Sequence, residues 1–335
     1  MNANKAIERG KMVNVGIVGL ARIATQFHIP SLLRIKESKI KGICARTKTK
    51  ERLSLASDIG ANFYQDYREM YEREKLDAVY ICSPTAFHNE MVVAALKRGC
   101  HVFCEKPIAM TVNEAKIMYK EAHNNSGNLF IGYNRRFSPT YQRVKNFSKE
   151  KRINILLLEK IRGTFLNTSK NAYNQKAKRE IELLGSDLME FGIHFIDLAK
   201  WIFGEVTKAH FYSNKIPEIS ACAGNGIAVL DHKEGQRSIL YFTLAGGKAL
   251  ERSTAISDDS TCETYGGMFE KSKVYITSGD KVDKFHSSDD LLVAGGFWQE
   301  SRYFIDSVLG KKEFPNEGKD DIDTLELALK WANAY

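Results

Sequence analysis

No apolar stretch in this chain is long enough to span a bilayer, which excludes a transmembrane helix. Residues 1–11 are polar and charged and lack the apolar core of a secretory signal. They read as a short flexible arm, and the protein as cytoplasmic. None of the six cysteines, Cys44, Cys82, Cys100, Cys104, Cys222 and Cys262, forms a Cys-x-x-Cys pair, so the spacing is wrong for a zinc site. Cys44, Cys82 and Cys104 fall in or just after apolar strand-like runs, as buried, reduced thiols do. The net charge is +8, yet Lys and Arg do not run together. The densest patch, Lys170, Lys176, Lys178 and Arg179, is interrupted by Glu180 and Glu182. Without an aromatic-studded basic stripe, a nucleic-acid partner is not expected. Internal repeats and low-complexity tracts are also missing.

What is present is ordinary globular material. The chain has 335 residues, 43% hydrophobic and 27% charged, enough for two packed domains. Strand-like runs at 13–18, 40–45, 78–82, 101–104 and 128–133 alternate with helical periodicity at 22–35, 48–59, 87–97 and 111–124. Such alternation means βαβ units and a doubly wound parallel sheet. After about residue 137, strand-like runs follow one another at 153–161, 206–212, 226–231, 238–244 and 273–277. Helical segments 187–203, 298–309 and 320–333 accompany them, as in an antiparallel sheet with helices on one face. The predicted fold is α/β: a Rossmann domain over 12–133, then an α+β domain with a large, mostly antiparallel sheet over 134–335.

The first strand runs into Gly16-Ile17-Val18-Gly19-Leu20-Ala21-Arg22-Ile23-Ala24. This resembles Gly-x-Gly-x-x-Gly at a strand-to-helix turn, with Ala21 and Ala24 in the second and third positions. Gly19 permits the tight turn. Small residues at 21 and 24 let backbone approach a pyrophosphate and let the helix pack on the strand. Free N–H groups where the helix starts, around Arg22 and Ile23, then face the phosphates. Small residues in a turn also serve packing alone; the strand before and the amphipathic helix after favour the dinucleotide reading. An NAD site calls for Asp or Glu at the end of the second strand. Here stand Cys44-Ala45-Arg46-Thr47-Lys48, and the first acid is Glu51 in the next helix. Arg46, Thr47, Lys48 and Lys50 suit a 2′-phosphate, unless they only solvate a loop. The missing carboxylate favours NADP over NAD.

The strand at 101–104 ends in Cys104-Glu105-Lys106-Pro107. Ligands of a doubly wound sheet bind beyond the carboxyl ends of its strands, and Pro107 restricts Lys106 to an extended conformation. A lysine held there would stand beside a reacting carbon; a plain surface lysine is the alternative. Glu105-Lys106-Pro107 resembles the signature of the Gfo/Idh/MocA family of sugar and cyclitol oxidoreductases. Ser83-Pro84-Thr85-x-x-His88, Gly132-Tyr133-Asn134-Arg135-Arg136-Phe137 and Glu190-x-Gly192-x-His194-x-x-Asp197 resemble three further family segments, in order. The resemblance implies cofactor contacts at Gly19, Ala21, Arg22, Ile23, Arg46, Thr47, Ser83, Thr85, His88, Glu105 and Lys106. It implies substrate contacts at Asn134, Arg135 and Glu190, catalysis by Lys106 and His194, and a homodimer or homotetramer. The family has Asp where this chain has Glu190.

Glu190 and His194 are four apart and share a helix face with Asp187; Asp197 follows three residues on. A core histidine with capping acids, or a metal site, would also place such residues together. A single His without a second ligand motif argues against metal. In the implied reaction His194 is the base, since imidazole titrates near neutrality. Lys106 polarises the oxygen or itself relays the proton. Glu190 orients His194 or binds a neighbouring hydroxyl. If the patch 170–179 lines the cleft, a phosphorylated or nucleotide-linked sugar fits, with Tyr173 and Asn174 available to sugar hydroxyls; a solvated loop is the alternative. The competing function is a non-catalytic NADP(H)-binding redox sensor, which has no need of Lys106 and His194.

Overall fold

A computed structural model describes residues 12–162, 188–215, 223–267, 271–315 and 318–334. Residues 1–11, the patch 170–179 with Tyr173 and Asn174, Asp187 and Cys222 lie outside the described residues. The chain divides into two compact units, residues 1–132 with 297–322, and residues 133–296 with 323–335.

In the first unit, six parallel strands form one sheet: β1 (Val13–Val18), β2 (Ser38–Cys44), β3 (Asn62–Tyr64), β4 (Ala78–Ile81), β5 (His101–Glu105) and β6 (Leu129–Gly132). Their order is β3-β2-β1-β4-β5-β6, the doubly wound order whose chain reversal lies beside β1. β4 and β6 are buried at every position, because helices cover both faces of such a sheet. The first helix widens to π geometry over Ala24–His28 before continuing as Ile29–Leu33. Pro30 supplies the reason: it has no N–H, and its ring crowds the carbonyl four residues back. A capping box formed by Thr111 and Glu114 starts the helix Val112–Asn124.

The second unit is built on eight strands: β7 (Ile153–Ile161), β8 (Val206–Lys215), β9 (Ala223–His232), β10 (Arg237–Thr243), β11 (Leu250–Ser257), β12 (Ser260–Tyr265), β13 (Lys273–Ser278) and β14 (Lys281–His286). They pair in the order β14-β13-β12-β11-β7-β10-β9-β8. Only β7 and β10 run parallel; the other pairs are antiparallel. The helix Ile193–Phe203 is buried along most of its length. Gly192 and Gly226 make room for the fully buried Trp331, since a Cβ at either would press into its ring.

The sequence division at 133/134 needs one correction. Residues 297–322 return to the first unit instead of continuing the second. Aromatic packing draws them back: Phe297 lies 4.4 Å from Phe27, and Phe304 lies 5.3 Å from Tyr80 and 5.6 Å from Phe103 and Phe130, between ring centroids. Tyr119 donates a hydrogen bond to Asp321, and Arg302 pairs with Glu37 at 2.6 Å. Sequence periodicity missed β3 with its following helix Tyr67–Arg73, the helices Pro139–Glu150 and Leu291–Ala294, and β11, β12 and β14.

Candidate functional site

Gly19 ends the first strand's run with φ +93°, and a Cβ there would stand 2.5 Å from the Cys82 carbonyl. Only glycine meets both demands. The turn opens a cavity of about 450 Å³ at the carboxyl ends of β1, β2 and β4, within the first unit. Gly19, Ala21, Arg46, Thr47, Ser83 and Phe87 are among its walls. Ser83 Oγ is buried there without a hydrogen-bond partner, so a ligand hydroxyl or phosphate would satisfy it. Backbone approach at Gly19, an orphaned hydroxyl and a cationic wall together fit a dinucleotide.

The loop after β2 is held in shape from two sides. Arg52 donates to the Thr47 carbonyl at 2.6 Å, and Gln65 donates to the Arg46 carbonyl at 3.0 Å. The Arg46 guanidinium lies 5.5 Å from the centre of the Phe87 ring, within cation–π range. Arg52, Gln65, Asp66, Tyr67, Arg68 and Glu90 also line the cavity. Sequence reading missed these, because they arrive from the segments after β2, β3 and β4 and share no spacing. Asp66 and Glu90 are carboxylates that the sequence did not place here; both face Arg68, at 3.6 and 3.8 Å. Lys48 and Lys50 are not among the walls, nor are Arg22, Ile23 and Thr85. Arg22 donates to Gln26 at 2.8 Å, and Thr85 is buried in a 3-10 turn.

The strand end bearing Lys106 is tied to its surroundings by two buried histidines. His88 faces the Pro107 carbonyl with Nδ1 at 2.9 Å and the Ser83 carbonyl with Nε2 at 2.8 Å. Its imidazole is occupied in joining two loops, and burial pushes its pKa down against those carbonyls. His28 stands 2.6 Å from Glu105. Burial would raise the Glu105 carboxyl, but the His28 hydrogen bond and the His28 and Lys106 charges hold it below the ordinary range. Lys106 itself is half-buried. The thiols expected to be buried are so: burial pushes Cys44 and Cys262 up to about 12 and Cys100 up to about 11, and Cys82 and Cys104 are also raised.

In the second unit, Glu190 lies in the π turn Leu188–Gly192, and His194, 4% exposed, lies in the α-helix that follows. The wider turn shifts Glu190 off the register that regular helical spacing predicts. Asp197 is bound by Arg136 through two nitrogens, one contact at 2.9 Å. Asn134 donates to the Gly295 carbonyl at 2.7 Å. Arg135 is committed to a buried ion pair, donating to Glu251 at 3.0 and 2.8 Å. Both are expected at substrate; the structure also uses their side chains to anchor the segment after β6, and Nη1 of Arg135 is buried without a partner.

Residues 13–133 match the family model described as an oxidoreductase family with an NAD-binding Rossmann fold, Gfo/Idh/MocA. A myo-inositol 2-dehydrogenase of Thermotoga maritima is 28% identical over 234 residues, 68% of this chain and 67% of that protein. The chain spans between about half and two thirds of the length of the curated relatives it matches. Among solved structures, the 3-ketoreductase KijD10 of Actinomadura kijaniata, complexed with NADP and TDP-benzene, superposes with TM-score 0.78 at 18% identity, covering 96% of this chain and 97% of that one. An Agrobacterium radiobacter oxidoreductase, complexed with NAD+, L-tartaric acid and magnesium, gives TM-score 0.82 at 19% identity, covering 97% and 98%. At these identities the two structures show a shared fold over both units, and no helix among the described residues is long and apolar enough to cross a membrane. Over residues 13–133, then, the chain matches the Gfo/Idh/MocA family of oxidoreductases with an NAD-binding Rossmann fold.

Proposed function

We propose that this protein is an NADP-dependent oxidoreductase acting between a hydroxyl and a carbonyl on a sugar, sugar derivative or cyclitol. The observation that carries the reading is the cavity beside Gly19, where Arg46, Thr47 and Arg52 gather on a β2 loop that has no carboxylate. Such a wall suits a 2′-phosphate better than a bare ribose. The named inositol dehydrogenase and the 3-ketoreductase support the substrate class. The nucleotide ligand of the latter makes a nucleotide-linked sugar a first choice for testing.

A nicotinamide cofactor held in the cavity beside Gly19, Arg46 and Thr47 would supply or accept the hydride. Lys106 holds the substrate oxygen and stabilises negative charge that develops on it. His194 takes the hydroxyl proton during oxidation and returns it during reduction. Glu190 binds a neighbouring hydroxyl. Self-association into a dimer or tetramer belongs to the same reading. Tyr212, Ile227 and Tyr241 are cross-strand neighbours on β8, β9 and β10, and all three are exposed. An apolar row of this kind is what a second copy would cover.

The test is turnover, followed by nicotinamide absorbance with cyclitols, free sugars and nucleotide-linked sugars. Lys106→Met and His194→Ala are each expected to lower kcat by about a hundredfold or more. Wild-type turnover in both variants contradicts the reading.

A further inference from the structure

His28 lies in the first helix and is fully buried, yet neither cofactor nor substrate contact accounts for it. Its Nε2 meets Oε1 of Glu105 at 2.6 Å. The other carboxylate oxygen, Oε2, accepts the backbone N–H of Lys106 at 3.2 Å. One carboxylate therefore spans from the first helix to the strand end that carries the lysine. The imidazole is otherwise walled by the rings of Phe103, Tyr80 and Phe297, at 4.9, 5.4 and 5.9 Å between centroids. Its Nδ1 has no hydrogen-bond partner. With its proton on Nε2, the ring donates to Glu105. Gly132 leaves space for this carboxylate: a Cβ there would come within 3.4 Å of Oε1 and closer still to the Phe103 ring.

We propose that His28 is a positioning residue for Lys106. By holding one oxygen of Glu105 it fixes the other on the Lys106 backbone, and so sets the direction in which the lysine leaves β5. The helix carrying His28 begins at the Gly19 turn, so the same contact ties the place of the cofactor phosphates to the place of the lysine. The inference rests on the role given to Lys106 above. A purely structural hydrogen bond at this point would tolerate an apolar residue of similar shape on the histidine side with no effect specific to catalysis.

The experiment compares His28→Leu, which removes the donor, with His28→Gln, which keeps an N–H donor at similar reach, and with Lys106→Met. It reads kcat, the NADPH Kd, and the rate at which a succinimidyl ester acylates Lys106, resolved by peptide mass spectrometry. The Leu variant is expected to lose about tenfold in kcat, while NADPH Kd moves less than about threefold. Its Lys106 acylation rate shifts by about threefold or more, and Gln restores both readouts. Wild-type kcat and acylation in the Leu variant overturn the proposal; so does equal impairment of Leu and Gln, which would mark a packing role. If the Leu variant does not fold, Glu105→Gln must show the same loss in kcat, and wild-type kcat there overturns the proposal too. Unchanged turnover in Lys106→Met defeats the underlying reading instead, and the acylation rates still decide on His28.

Discussion

Glu105 in the first unit and Glu251 in the second are both buried carboxylates kept in the charged form, by opposite means. Glu105 accepts from one imidazole and one backbone N–H. Glu251 accepts from Arg135, from Lys160 at 2.8 Å and from Tyr141 at 3.1 Å. Burial would raise the Glu251 carboxyl, but Arg135 and Lys160 hold it far below the ordinary range. Two cations more than cancel one anion, so the Glu251 cluster locks β7, β11 and the segment after β6 together. Glu105 instead takes one imidazole and one backbone N–H, with Lys106 as a neighbouring charge. A buried ion pair is weak evidence for function; a buried anion left next to a motif lysine is stronger.

This contrast fixes the expected sizes of effects. Glu251→Gln strands Arg135 and Lys160 without their counter-charge and is expected to cost about 3–5 kcal/mol in urea unfolding. Glu105→Gln loses hydrogen bonds to a charged group only, about 1.5–3 kcal/mol. Equal losses would break the comparison. Phe304→Ala sharpens it from the side of the first unit. Deleting this fully buried ring among Tyr80, Phe103 and Phe130 is expected to cost about 3–5 kcal/mol. A loss under about 1 kcal/mol would mean that residues 297–322 do not complete that unit's core.

The smallest effect is the pH dependence. The Arg302 hydrogen bond draws the Glu37 carboxyl down from 4.5 to about 2, and Glu105 and Glu251 are lowered too. A carboxyl lowered in the folded state contributes stability above its unfolded pKa and loses it as pH falls through the folded value. The urea midpoint should therefore begin to decline below about pH 6.5, where the lowered His88 makes unfolding take up a proton, and fall more steeply below about pH 4.5. Glu37→Gln should remove only a small part of that decline, since its ion pair is partly exposed. A midpoint that rises on acidification would contradict these assignments.

Strands buried on both faces, such as β1 and β4, were legible because apolar runs declare them. β11 and β12 were not. Their inward side chains include Ser253 and Thr264, which hydrogen-bond each other at 2.8 Å and carry no apolar alternation. β14 is mostly exposed and β3 has three residues, too little for a periodic signal. At the cofactor cavity, Gly19, Arg46 and Thr47 could be read from one turn and one loop. Gln65, Tyr67 and Phe87 come from the segments after β3 and β4, so only topology assembles them. Arg135 shows the converse: a motif position reads the same whether its side chain faces a ligand or a buried glutamate.

The most direct test of the central claim is calorimetric titration of the whole chain with NADPH and NADH, before and after Arg46→Ala. The account predicts that NADPH binds at least about tenfold tighter than NADH, and that removing the guanidinium erases most of that gap. Equal affinity for the two cofactors in the unaltered protein, or a gap that survives Arg46→Ala, would contradict it.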